Sequence, residues 1–350
     1  MTTTEKQEPA TKRNVALVVT SIAGPNDILK TLARGCREHD YQFIVIGDAA
    51  SPADFQLEGC RFYSLAAQHE TGLTLARLCP TKHYARKNLG YLLALRDGAT
   101  MILETDDDNI PYQSFWNPRQ RQQTVSTLSK HGWVNVYRYF SEANLWPRGF
   151  PLDHVKDSLP PFESLKVSET DCPIQQGLVN ENPDVDAIYR LVSSLPQSFR
   201  KDGRVALAGG SWCPFNSQNT YWWREAFPLM YLPAFCSFRM TDIWRSFVAQ
   251  RIAWANNWSV LFHEPNVSQE RNEHNLMRDF RDEVPGYLHN KSICEALENL
   301  QLRSGVDSIG ENLHVCYEKL VSMELVDRKE LELVTAWLAD LEEVSKPGGV

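Results

Sequence analysis

Hydrophobic positions along the chain follow two spacings. Unbroken apolar runs, Val15-Ala-Leu-Val-Val-Thr20, Tyr41-Gln-Phe-Ile-Val-Ile46 and Thr100-Met-Ile-Leu-Glu104, suit strands buried on both faces, and residues 60–65 read as a further short strand. Between them the spacing is helical. Residues 28–37 follow the break at Gly24-Pro25, with Asn26 or Asp27 as N-cap, and residues 84–96 end at Gly98. Strand and helix alternating in this order predict a parallel sheet with right-handed crossovers. Ligands of such sheets bind beyond the carboxyl ends of the strands, where Thr20-Ser21, Asp48 and residues 106–109 stand.

Periodicity fades over residues 112–240, which are rich in Trp, Pro, Asn and Gln; short strands and long loops are expected there, the usual place for substrate selection. It returns as helix after about residue 290. Val334, Trp337, Leu338 and Leu341 form one apolar stripe that must be covered, by the chain itself or by a second copy in a homodimer. The expected organisation is a disordered lead-in (1–13) and a catalytic domain (14–290) with a nucleotide half (14–111) and an acceptor half (112–290). A C-terminal helical extension (291–350) follows.

Composition narrows the class. With 43% hydrophobic residues in 350, the chain can bury one large core and a smaller one. A net charge of −8 argues against nucleic acid as a partner. The eight cysteines stand singly, without C-x-x-C pairs, and read as reduced core thiols rather than a zinc site or a disulfide framework. No stretch approaches the roughly 18 apolar residues of a membrane helix, and residues 1–13 hold no apolar leader segment, so the expected location is cytoplasmic, or peripheral to a membrane.

The sharpest chemical signal is Ile102-Leu-Glu-Thr-Asp106-Asp107-Asp108-Asn109. Three adjacent carboxylates closing an apolar strand repel one another unless a cation neutralises them. Carboxylate oxygens completed by phosphate oxygens suit Mg²⁺ or Mn²⁺. A solvated acidic turn has the same composition. Arg148, between Pro147 and Gly149, is a guanidinium on a constrained loop, suited to phosphate or carboxylate. Asp242 stands at the start of a helix over residues 243–255, where Thr241 or Asp242 can be the N-cap and Asp242 a catalytic carboxylate, the two roles being compatible. Trp212, Tyr221, Trp222, Trp223 and Tyr231 are aromatic candidates for sugar stacking or for core.

Other motifs surround the triplet in a fixed order. Tyr84-Ala-Arg-Lys-Asn-Leu-Gly-Tyr91 and Gly98-Ala99 precede it. Arg148-Gly-Phe-Pro151, Asn216-Ser-Gln-Asn219, Arg239-Met-Thr-Asp242-Ile-Trp244 and Gln269-x-Arg271-Asn272-x-His274 follow. Over residues 14–290 this set resembles the STELLO family of glycosyltransferase-like proteins. It is more distantly similar to the reversibly glycosylated polypeptides, or UDP-arabinopyranose mutases. The resemblance implies a GT-A fold, an α/β architecture with a central mostly parallel sheet, and transfer of a hexosyl or pentosyl group from a nucleotide-sugar donor. The acceptor hydroxyl would belong to a glycan, a lipid-linked molecule or a small molecule.

The same resemblance implies roles. Thr20, Ser21 and Asp48 would hold base and ribose, and Arg86 and Lys87 would face the diphosphate. Asp106 and Asp107 would lie on the donor side. Asp108 would bind the metal, with Asp106 and His274 as further ligands. Arg148 would be catalytic, and Asp242 would act as base toward the acceptor. Gln269 stands where the mutases carry a His, and Val155, beside Lys156, where they carry a second Arg. Two alternatives stay open: a nucleotide-sugar mutase or self-glycosylating protein, and a non-catalytic nucleotide-sugar-binding or scaffold protein.

Overall fold

A computed structural model describes residues 14–270 and 275–346; the lead-in 1–13 and His274 lie outside the described residues. The first half alternates as expected: β1 (Val15–Thr20), α1 (Asp27–Glu38), β2 (Gln42–Ile46), β3 (Arg61–Tyr63), α2 (Leu65–Glu70), α3 (Thr74–Leu78), α4 (Lys87–Arg96) and β4 (Met101–Thr105). β1 lies between β2 and β4, parallel to both, and β3 extends β2 in the same direction. Asn26 caps α1 by accepting the Leu29 N–H at 2.7 Å. α4 lies so close on the sheet that a Cβ at Gly90 would meet Val18 Cγ1 at 2.4 Å, which only glycine avoids.

The second half comprises β5 (Asn109–Pro111), β6 (Gln122–Leu128), β7 (Gly132–Trp133), β8 (Lys166–Asp171), β9 (Ile174–Asn180), α5 (Ala187–Val192), β10 (Arg204–Leu207), β11 (Ser211–Trp212), β12 (Asn219–Trp223), α6 (Thr241–Ala255) and β13 (Val260–Gln269). Among the described residues eleven strands form one sheet in the order β3-β2-β1-β4-β12-β9-β13-β10-β6-β8, with β5 on β13. Beyond β4 the sheet is mixed, because β12 enters antiparallel to β4 and β9. This reversal matters for the site. Asn219 pairs with Thr105, so Ser217 and Gln218 arrive beside the acidic triplet, and Gln269 pairs with Asn109 at its other side.

Three helices close the chain: α7 (Leu276–Glu298), α8 (Ile309–Ser322) and α9 (Glu330–Ser345). α7 runs unbroken through residues 290 and 291, and α9 packs on α3, α4 and α8. The apolar stripe is therefore covered within the chain. Trp337 is fully buried, with its Nε1 donating to Pro228 O at 3.0 Å. Asp340 accepts the Thr74 and Leu75 N–H groups at 3.0 and 2.8 Å, and Glu330 accepts those of Ala234 and Phe235. The C-terminal helices thus hold up α3 and α4, and Lys87 of α4 donates to Asp106. Among the described residues no helix is long and apolar enough to cross a membrane. All eight cysteines are free thiols.

Candidate active site

The carboxyl ends of β1, β2 and β4 open into a cleft of two adjoining chambers that share Thr20, Tyr84, Asp107 and Phe238. The first, about 360 Å³, is largely apolar and is walled by Thr20, Ser21, Ile22, Asp48, His83 and Phe238. Its polar groups are anchored by the loops that carry them. Asp48 accepts the His83 N–H at 2.9 Å, and Ser21 Oγ donates to Asp107. Asn26, the cap of α1, also donates to Asp107 O at 3.0 Å, tying the triplet to β1. Burial pushes the His83 imidazole down to about 4, against the pull of Asp48, so this ring is neutral and presents a flat face beside Tyr84.

The second chamber, about 250 Å³, is polar and contains Asp106, Asp107, Asp108, Arg148, Asp184, Ser217, Gln218, Arg239, Asp242 and Gln269. Lys87 is fully buried beneath it, donating to Asp106 Oδ1 at 2.9 Å and to the carbonyls of Thr105 and Ser217. Burial raises the Asp106 carboxyl and Lys87 opposes the rise. Among the described residues no cation is paired with Asp108. Burial, then the charge of Asp106, lifts it to about 7, while the Gln269 amide donating at 3.1 and 3.2 Å lowers it. These are hard oxygen donors whose negative charge exceeds what the neighbouring side chains offset, which fits a divalent cation of the Mg²⁺ or Mn²⁺ kind. Among the described residues no three His, Cys, Asp or Glu side chains converge to cage a metal. A cation here would therefore take part of its shell from a ligand, as Mg²⁺ does from phosphates.

Asp242 lies in the first turn of α6 but caps nothing. The residue preceding the helix is Met240, and no side chain caps it. Instead the carboxylate accepts from Arg148 Nη2 at 3.0 and 3.1 Å, from Ser217 N at 3.1 Å and from Tyr84 Oη at 3.2 Å. Burial would raise it, but Arg148, helped by Arg245 and the Ser217 amide, holds it well below the usual carboxylate range. Arg148 also pairs with Asp184, Nε to Oδ1 at 2.8 Å, and donates to Arg239 O. The loop bearing it needs Gly149, at φ +84, where a Cβ would meet Ile243 Cγ2 at 2.4 Å. Below, the buried pair of Arg245 with Glu104 at 2.8 Å reaches Asn216 O and supports the Ser217-Gln218 segment.

Thr20, Ser21, Asp48, Asp106, Asp107, Asp108, Arg148 and Asp242 thus meet in one cleft. Arg86 lines the first chamber and Lys87 lies beneath the second, and both are engaged in bonds within the fold. Arg86 donates to Gln68 Oε1 at 2.7 Å and to the carbonyls of Cys79 and Ala76, so its guanidinium is used inside the fold. Lys87 is spent on Asp106 and two carbonyls. The reason is that α4 is buried on nearly every side, between the sheet and α9. The aromatic cluster is core: Trp212, Tyr221, Trp222, Trp223 and Tyr231 are all buried. His263 is also buried, in β13. Asp184, Ser217, Gln218 and Phe238 join the site without having been singled out. Ser217 and Gln218 belong to the Asn216-Ser-Gln-Asn219 motif, which was the only signal for two of them.

Residues 239–346 match the family model described as "STELLO glycosyltransferases". The chain is 28% identical over 351 residues to "Probable glycosyltransferase STELLO2" of Arabidopsis thaliana, covering 93% of this chain and 44% of that protein. It is also 28% identical over 344 residues to "Probable glycosyltransferase STELLO1" of the same plant, with the same coverage. This chain therefore spans less than half the length of these relatives. A solved mycobacterial protein superposes with a TM-score of 0.42 at 10% identity, covering 80% of this chain and 75% of that one, too slight a likeness to speak to function.

Proposed function

We propose that this chain, which is similar to the STELLO glycosyltransferases, is a metal-dependent glycosyltransferase of the GT-A type. It moves a sugar from a nucleotide-sugar donor to an acceptor hydroxyl. One observation carries the reading: an apolar chamber and a polar chamber meet at three carboxylates whose charge is only partly offset. The apolar chamber suits a nucleoside, with the neutral His83 and Tyr84 rings as flat surfaces and Asp48 and Ser21 as polar contacts.

Asp108 and the free oxygen of Asp106 would hold Mg²⁺ or Mn²⁺, which when bound offsets charge on the departing diphosphate. Lys87 fixes Asp106 and neutralises one carboxylate, so the remaining negative charge matches one divalent ion. In the transfer, the bond from the anomeric carbon to the diphosphate oxygen breaks with its electron pair. The acceptor oxygen bonds to that carbon, and the hydroxyl proton passes to the departing diphosphate or to water. Asp242 was expected to take this proton. A carboxyl held so low by Arg148 is a weak acceptor of protons, so we assign it to orienting the hydroxyl and steadying positive charge at the anomeric carbon. Isothermal titration of the full chain with UDP-, GDP-, CMP- and dTDP-sugars, with Mn²⁺ and with EDTA, tests the reading. One nucleotide sugar should bind with the metal present, and binding of none would refute it.

A further inference from the structure

We propose that the acceptor is a neutral sugar, its ring laid on Phe238 and its hydroxyls met by Asp242, Asp184, Gln218 and Gln269. This inference rests on the transferase reading above and names the substrate class of its second chamber.

Phe238 is the aromatic residue that the fold leaves open at the site. It is 47% exposed and lines both chambers. Its ring is nonetheless fixed. It packs edge-on against Tyr84 at 5.0 Å and 79°, and against His83 at 5.1 Å and 66°. Its backbone is pinned on either side, by Ser237 Oγ donating to Asp282 O and by Arg148 donating to Arg239 O. A large apolar face held rigid and wet beside a polar chamber needs an amphipathic occupant. A sugar ring, with C–H bonds on one face and hydroxyls around its rim, has that form.

Charge excludes the commonest alternative, an anionic acceptor. Among the described residues lining the chamber, each cation already faces carboxylates. Arg148 faces Asp184 and Asp242, and Arg239 pairs with Glu283 at 2.8 Å. Among the described residues lining the chamber, no cation is left over to recognise a phosphate or carboxylate. An ammonium would be drawn in, but Asp242 lies too low to take its proton and free a lone pair for attack. Neutral hydroxyls fit what remains. Gln218 and Gln269 line the chamber as uncharged amides, suited to hydroxyls rather than to an anion.

The test is binding of methyl β-D-glucoside and cellobiose to the full chain, followed by saturation-transfer NMR and calorimetry. Glucose 6-phosphate, glucuronate and glucosamine serve as charged comparators, with Mn²⁺ present. Neutral sugars should bind about tenfold more tightly than the anionic ones, with saturation strongest on one face of the ring. Phe238→Ala should weaken neutral-sugar binding about three- to tenfold, and Phe238→Trp should retain it. Tighter binding of an anionic or ammonium sugar, no saccharide binding, or indifference to Phe238→Ala in a variant that melts normally would each overturn the proposal. UDP, GDP and CMP binding with Mn²⁺ is measured on the same samples. Its absence would sink the donor reading, whereas its presence beside a failed sugar preference sinks the acceptor proposal alone.

Discussion

Arg148 Nη2 lies 3.0 and 3.1 Å from the two carboxylate oxygens of Asp242, and 3.0 Å from Oδ2 of Asp184. One buried guanidinium thus ties the loop before Gly149, the segment bearing Asp184 and the start of α6. Removing it strands two buried carboxylates, and breaking such a pair costs about 3–5 kcal/mol. Arg148→Met should lower unfolding free energy in urea by about that amount. Adding Asp242→Asn should recover part of the loss, since one stranded charge is gone. Strictly additive losses would show that the two residues are not coupled.

The acidic triplet makes a pH-dependent prediction. Burial and Asp106 raise the Asp108 carboxyl from its ordinary 3.8 to about 7 in the folded chain. A carboxyl raised on folding holds its proton more tightly when folded. Its contribution is therefore full at low pH and is lost as pH climbs from about 4 to about 7. Metal-free protein should lose melting temperature over that window relative to Asp108→Asn. Mn²⁺ must displace the same proton, so its apparent affinity should rise about tenfold from pH 6 to pH 8. A flat profile in both measurements would place the binding carboxylate elsewhere.

The N-terminal half was readable because its strands are continuous apolar runs, and a parallel sheet forces their ends to one side. Thr20, Asp48 and Asp106 meet there for that reason. Charge in a sequence suggests exposure, but Arg86, in the turn before α4, and Lys87, at its first position, are buried and donate to carbonyls and to Asp106. Asp184 and Phe238 had no local signature. Asp184 is held by Arg148 and Asn216, 36 and 32 positions away, and Phe238 by Tyr84, 154 positions away. The N-cap reading of Asp242 was open in the sequence; α6 has no side-chain cap, and the Asp242 carboxylate accepts from Arg148 instead.

The C-terminal helices should be inseparable from the site. Trp337 is fully buried against Tyr231, and Asp340 caps the helix whose carbonyl Arg86 then binds. Trp337→Ala should cost about 3–5 kcal/mol, with a matching fall in denaturation midpoint. A loss under about 1 kcal/mol would mean that these helices are an independent appendage.

Calorimetric titration of UDP, GDP, CMP and dTDP into the full chain, with Mn²⁺ and again with EDTA, measures most directly whether the triplet forms a metal-linked nucleotide site. One nucleotide should bind with Mn²⁺, lose at least about a hundredfold in affinity in EDTA, and lose as much in Asp108→Asn, whose fold stays intact. Equal affinity with and without the metal, or in Asp108→Asn, would contradict the assignment of residues 106–108 to the donor.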